Sequence, residues 1–188
     1  MSTEIERHRR SIDELGRRVN SINDKQWDLG TPCADWDVRD LLQHITEGNL
    51  WVQPLVEGKT IAEVGDSLSG DHLGAHPQHA WRDSAMEAQT AFESDGAMER
   101  IVHLSFGDMP GREYAMQLFA DHLIHGWDLA RGIGADDQLD PELVSACKIW
   151  FEPIEPLYRG GGATGERPDI PEGADEQTVL LAMFGRRA

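Results

Sequence analysis

The chain has 188 residues, 39% of them apolar, with six tryptophans. That suits one globular domain over 1–188 with a substantial core and excludes a disordered chain. Lys and Arg number 17 against 34 Asp and Glu, a formal charge of −17, which repels phosphate backbones and anionic lipid surfaces unless a basic patch is segregated.

The nearest things to such a patch are the tail pair Arg186 and Arg187 and a set near the start: Arg7, Arg9, Arg10, Arg17 and Arg18. The latter alternate with Glu4, Glu6, Asp13 and Glu14, the pattern of a solvated helix face laced with ion pairs, so no nucleic-acid partner is expected. No apolar run approaches the roughly 20 residues that span a bilayer, so no membrane partner is expected either. The start, MSTEIERHRR, has no apolar stretch of the secretory type, and the expected location is the cytoplasm. Cys33 and Cys147 stand too far apart for a metal knuckle and are expected to be reduced.

In chain order, Ile5, His8, Ile12, Leu15, Val19 and Ile22 alternate steps of three and four and predict an amphipathic first helix. The loop KQWDLGTPCAD follows, punctuated by Gly30 and Pro32. Asp35 stands where an N-cap belongs, ahead of a second helix, WDVRDLLQHITEGNLWVQPLVEG. Its buried side would hold Val38, Leu41, Leu42, Ile45, Val52 and Leu55, with Pro54 bending or shortening the last turn. Residues 58–76, rich in Gly, Ser and Asp, predict a long exposed connection. A third helix runs from Pro77 to about Ser94, and IVHLSFGDMPG predicts a short extended segment without an evident partner strand. The fourth helix covers about Glu113 to Gly132. A fifth starts at Asp140, with Pro141 in its first turn, and continues to about Tyr158. RGGGATGERPDIPEG is a surface loop, and DEQTVLLAMFGR predicts a short closing helix. Four long helices without a convincing sheet predict an all-α bundle, and the length of its connections requires at least one crossover.

The stretch DHLIHGWDLARG on the fourth helix sets acids and imidazoles among apolar residues. Positions four apart share a helix face and positions seven apart drift by only about 20°, so Asp121, His125 and Asp128 form one polar stripe. The second helix offers one histidine, His44, flanked by Leu41, Leu42 and Ile45. Three N/O ligands from facing helices, with a fourth position left open, is the layout of a catalytic Zn²⁺-type site. A hydrogen-bonded core histidine is the plainer alternative for each imidazole taken singly.

The stretch WDLGTPCADWDVRDLLQHITEG resembles the opening motif of the DinB-like metal-binding bundles, and within them the N-terminal domain of mycothiol-dependent maleylpyruvate isomerases. DHLIHGWDLARGIG is similar to that family's metal-binding helix, and DEQTVLLAMFGRR to its ending, so the likeness covers almost the whole chain. The resemblance implies a DinB-like four-helix bundle with long crossover connections and a short C-terminal helix. It also implies one divalent metal ion held by His44, Asp121 and His125, with Zn²⁺ favoured and Ni²⁺, Fe²⁺ or Mn²⁺ suited to the same donors. Members place Glu where this chain has Asp121, so the shorter side chain must reach further, unless His122 replaces it or a water bridges. Those isomerases also carry a C-terminal α/β domain that shapes their substrate cleft, and no counterpart is expected here. The implied activity is therefore metal-dependent transfer or isomerisation between a low-molecular-weight, mycothiol-type thiol and an electrophilic small molecule, rather than maleylpyruvate isomerisation itself. The alternative is a non-catalytic metal-binding or small-molecule-binding bundle. Bundles of this kind commonly pair through helix faces, so a homodimer is compatible with the pattern.

Around the stripe, Asp128 is expected either to orient His125 or to pair with Arg131 or Arg39. Trp36 and Trp127 are expected to pack helices together, and Arg39 to pair with an acid such as Asp128. Cys33 reads as a small buried plug, the other reading being a reactive thiol at a helix N-terminus. His72, His76, His79 and His103 lack ligand spacing and read as surface residues.

Overall fold

Ser2 caps the first helix by accepting a hydrogen bond from the Ile5 amide, and α1 runs Thr3–Ser21 with Glu4 and Glu6 in its first turn. Its arginines pair along the helix as the sequence predicts: Arg9 with Glu6 and Asp13, Arg17 and Arg18 with Glu14. The computed structural model describes residues 2–188. The next helix, α2, is Val38–Val56, and its N-cap is Asp37, not Asp35. Asp37 and Asp40 form a reciprocal capping box, while Asp35 sits at φ 66, a left-handed turn position that Asp tolerates better than most residues. A local bridge between Gly30 and Asp37 closes this turn and delays the helix by two residues. Pro54 lies inside α2, which ends two residues later.

The connection at 58–76 is more ordered than predicted. Thr60 and Glu63 cap a one-turn helix, α3 (Ile61–Val64), and a 3₁₀ turn follows over Gly65–Leu68. Arg39 and Gln43 of α2 then bond Asp71, Gly74, Gly70 and His72, tying the loop to the helix. Helix α4 is Pro77–Glu93, with Pro at its first position. The segment predicted as a lone extended stretch is a hairpin: β1 (Ile101–Leu104) pairs antiparallel with β2 (Gly107–Pro110), Val102 opposite Met109. Ser105 and Phe106 turn the chain without an Asn-Gly or Asp-Gly signal, which is why its partner was not evident. Helix α5, Gly111–Ile133, follows directly and is the longest, ending at a left-handed Gly134.

Helix α1 packs on α5 and α4, and α2 packs on α4 and α5. Around the bundle the order is therefore α1, α5, α2, α4, so the α1–α2 and α4–α5 connections both cross a diagonal. Two apolar clusters fill it, one around Leu55, Phe92, Val102 and Leu118, the other around Leu15, Leu41, Ile45 and Leu129. Between them each helix contributes buried polar groups: His8 and Ser11, Thr46 and Asn49, Ser84, and His122.

Gly111 marks a close approach. A Cβ there would lie 2.0 Å from the Ala97 carbonyl oxygen, while one at Gly48, also helical, would meet nothing nearer than Leu118 at 3.9 Å. Gly111→Ala is expected to cost about 1–3 kcal/mol of stability. Gly48→Ala is expected to be neutral or stabilising by up to about 1 kcal/mol. Denaturant midpoints of the two variants check this, and equal midpoints would refute it.

The chain divides into two compact units, one through Ala135 and the other Asp136–Ala188. In the second, the predicted fifth helix is two: α6 (Pro141–Phe151) and α7 (Glu155–Gly160). Pro153 and Pro156 interrupt it, because each lacks an amide donor and disfavours helical backbone in the residue before it. The short helix α8 (Glu176–Met183) packs on α6, with Phe184 stacked on Phe151 at 4.0 Å. Glu155, nearly buried, is neutralised by Arg159 and Arg167. No helix among the described residues is long and apolar enough to cross a membrane.

Candidate metal centre

The packing of α2 on α5 brings His44, Asp121 and His125 together. Asp121 and His125 are one helical turn apart, so their side chains overlie each other, with His125 Nε2 3.4 Å from Asp121 Oδ1. His44, from α2, places its Nε2 3.7 Å from the same oxygen. The His44 and His125 rings meet edge to face at 5.1 Å. Ligands about 2.0–2.1 Å from a tetrahedral cation stand about 3.4 Å apart, so these donors need only small rotations to surround one. Short as it is, Asp121 reaches both imidazoles. His44 and Asp121 are part-exposed and His125 is nearly buried, so the group opens on the His44 side.

His122, the alternative ligand, points elsewhere. Its Nε2 bonds Asn49 Oδ1 at 2.9 Å and its ring lies 5.2 Å from His8, deep between the helices. A one-residue step rotates a side chain about 100° around a helix, which takes it off the Asp121–His125 face. His8, which the sequence places on an apolar stripe, is fully buried and bonds Gln89 at 3.0 Å. Burial holds both histidines neutral: His8 is lowered to about 3, aided by His122, and His122 to about 4, with Asp121 opposing.

The other edge of His125 faces Asp128, whose Oδ2 is 3.0 Å from Nδ1. Asp128 is 0% exposed, and its contact with Nδ1 is the one expected of a residue that orients His125. Arg39 pairs with Asp71, and Arg131 also lies over the Trp127 ring at 5.6 Å. Cys33 is more than a plug: its thiol donates to Asp128 Oδ2 at 3.2 Å and stands 3.8 Å from His125 Nδ1. Trp127 is buried and packs as expected. Trp36 also touches the core, but its ring lies 4.8 Å from His44 and 6.2 Å from His125 and walls the centre. The TPCADW turn thus supplies two residues to the site, Cys33 and Trp36, that periodicity could not place. His76 and His79 are exposed, His72 bonds the Leu68 carbonyl and His103 bonds Asp108, so none of the four joins the group.

Burial would raise the Asp121 carboxyl, but His125 and His44 beside it override this and hold it well below the usual carboxylate range. Burial likewise opposes charge on His125, yet Asp121, Asp128 and Cys33 hold it well above its ordinary value. His125 thus lies between the carboxyl groups of Asp121 and Asp128, which favour its protonated form.

The fold and site together define a crossed helical bundle with an imidazole–carboxylate centre between two of its helices. The chain belongs to the family described as mycothiol maleylpyruvate isomerase N-terminal domain, which it matches over residues 8–130. It is 30% identical to two uncharacterized proteins of Mycobacterium tuberculosis, over 95% of this chain and 95% of each of theirs. Among solved structures it is similar to the mycothiol-dependent maleylpyruvate isomerase and to a histidine-to-alanine mutant of it, each at a TM-score of 0.64. Those matches are 15% and 14% identical and cover 87% of this chain and 72% of the isomerase, a likeness of fold.

Proposed function

We propose that this chain is a divalent-metal-binding protein that acts as a thiol-dependent transferase or isomerase on an electrophilic small molecule. The observation that carries the reading is the convergence of His44, Asp121 and His125 from two helices, with one side open. Two imidazoles and a carboxylate suit Zn²⁺, and Ni²⁺, Fe²⁺ or Mn²⁺ as well. A cation bound there supplies a Lewis acid that favours the thiolate form of an incoming thiol over the thiol. Asp128 holds the Nδ1 proton of His125, so that Nε2 presents its lone pair toward Asp121 and His44. Trp36 covers one flank of the centre, excluding water there and leaving approach from the His44 side. The family and the solved neighbours are named for mycothiol, which makes it the first thiol to try.

The test follows loss of the electrophile, maleylpyruvate and monobromobimane being tried in turn, with mycothiol and the Zn²⁺-loaded chain, because transfer consumes the thiol whereas isomerisation regenerates it. Acceleration over the protein-free rate, lost in His44→Ala/His125→Ala, is the expected result. No acceleration with either electrophile at full metal occupancy would sink the catalytic half of the reading.

A further inference from the structure

His125 belongs to two donor triangles. One is the His44–Asp121–His125 group on its Nε2 edge; the other is Cys33, His125 and Asp128 on its Nδ1 edge. In the second, Asp128 Oδ2 lies 3.0 Å from Nδ1 and 3.2 Å from the Cys33 sulfur, and the sulfur lies 3.8 Å from Nδ1. Donors on one tetrahedral ion, with metal–nitrogen and metal–oxygen bonds of about 2.0–2.1 Å and a metal–sulfur bond of about 2.3 Å, stand about 3.3–3.6 Å apart. The three edges bracket that range. Its donors also differ in kind from those of the other triangle, because a thiolate selects softer ions than imidazole and carboxylate do.

We propose that Cys33, Asp128 and the Nδ1 edge of His125 form a second cation site, selective for thiophilic divalent ions such as Cd²⁺. It excludes, and is excluded by, an ion on the Nε2 edge. The exclusion follows from proton bookkeeping on one ring. An ion among His44, Asp121 and His125 needs Nε2 bare and leaves the Nδ1 proton on Asp128. An ion at the Cys33 site needs Nδ1 bare and leaves the Nε2 proton on Asp121. A neutral imidazole satisfies one arrangement at a time. Entry of Cd²⁺ at the Cys33 site displaces the thiol proton to solvent and takes the ring as the neutral tautomer protonated at Nε2. The site itself stands on its own three residues, whereas the exclusion rests on the proposed function above.

Cd²⁺ titration of the full chain, followed by near-ultraviolet sulfur-to-cadmium absorption, tests this. The wild type should develop the band to saturation at one ion per chain. Cys33→Ser should lose it, and His44→Ala should keep it. Mn²⁺ added beforehand should shift the wild-type titration to higher Cd²⁺ and leave the His44→Ala titration where it was. No band in the wild type, or a band undiminished in Cys33→Ser, overturns the site; the wild-type result decides even if a variant folds poorly. Failure of the metal reading above looks different: His44→Ala/Asp121→Ala, which leaves the Cys33 triangle intact, would then bind as much Mn²⁺ as the wild type. A Mn²⁺ effect equal in wild type and His44→Ala would overturn the exclusion while leaving the Cys33 site standing.

Discussion

Replacing His44 and His125 together by alanine is expected to abolish the one divalent cation per chain that purified, untagged wild-type protein should carry. Elemental mass spectrometry of both proteins measures it. The two substitutions remove two of three donors from a centre where Asp121 alone remains. The loss should exceed the roughly 10–100-fold in affinity that accompanies removal of an outer partner such as Asp128. Asp128→Asn is therefore the graded comparison: it keeps the volume but weakens the acceptor that orients His125, and should lower Zn²⁺ affinity within that smaller range. Wild-type protein that stays metal-free after reconstitution at neutral pH would end the metal reading. The Asp121–His125–Asp128 stripe would then be a buried ion-pair network, which its geometry also satisfies.

The second large effect is on stability in mild acid. His8 and His122 are held neutral, at about 3 and about 4 against an ordinary 6.5. Below pH 6.5 the unfolded chain binds protons at both positions and the folded chain does not, so stability falls as pH falls. Each contributes a slope of about 1.4 kcal/mol per pH unit. Because the unfolded imidazoles are only half protonated at pH 6.5, the pair should cost about 3 kcal/mol between pH 6.5 and 5, against a total of about 5–15 kcal/mol for a typical domain. The other shifted groups of the centre do not blur this window. The stability that His125 contributes by being raised is fully present below 6.5 and is lost only as pH rises through its folded value. Asp121, held below 3.8, loses its contribution only as pH drops below that ordinary value. Urea unfolding of the metal-free chain across this range measures the slope, and His8→Phe should reduce it by about half. A His8→Phe slope equal to that of the wild type would show that His8 is not buried neutral. The arrangement also explains why two histidines sit so deep: Gln89 and Asn49 each satisfy one ring nitrogen. The other nitrogen of each has no hydrogen-bond partner among the described residues, a cost the neighbouring apolar clusters offset.

Much of this protein is legible in its one-dimensional pattern. The 3.6-residue spacing of Ile5 through Ile22, of Val38 through Leu55 and along α5 dictates amphipathic helices, because a period in sequence becomes a face in space without reference to the rest of the fold. Pro77 and Pro141 mark helix starts for the same local reason. The Asp121–His125–Asp128 stripe follows from helical geometry alone. Its meeting with His44 does not: periodicity puts each on an apolar face, and only the family motifs suggested that the faces oppose.

What the tertiary structure alone decided lies where local signals conflict or are silent. The helix start moved from Asp35 to Asp37 because a bridge to Gly30 holds the intervening turn. The hairpin at 101–110 exists because β2 pairs with β1 and runs straight into α5, whose close approach to Ala97 only a glycine permits. Cys33 joins Asp128 and His125 across more than ninety residues of sequence, and Trp36 reaches the same centre by the same turn. His8, one residue of a stripe in sequence, becomes a buried neutral imidazole only once α4 and α5 close over it. Periodicity says which side of a helix is inside. Which polar atoms meet there depends on crossover topology, and that is settled by packing all four helices at once.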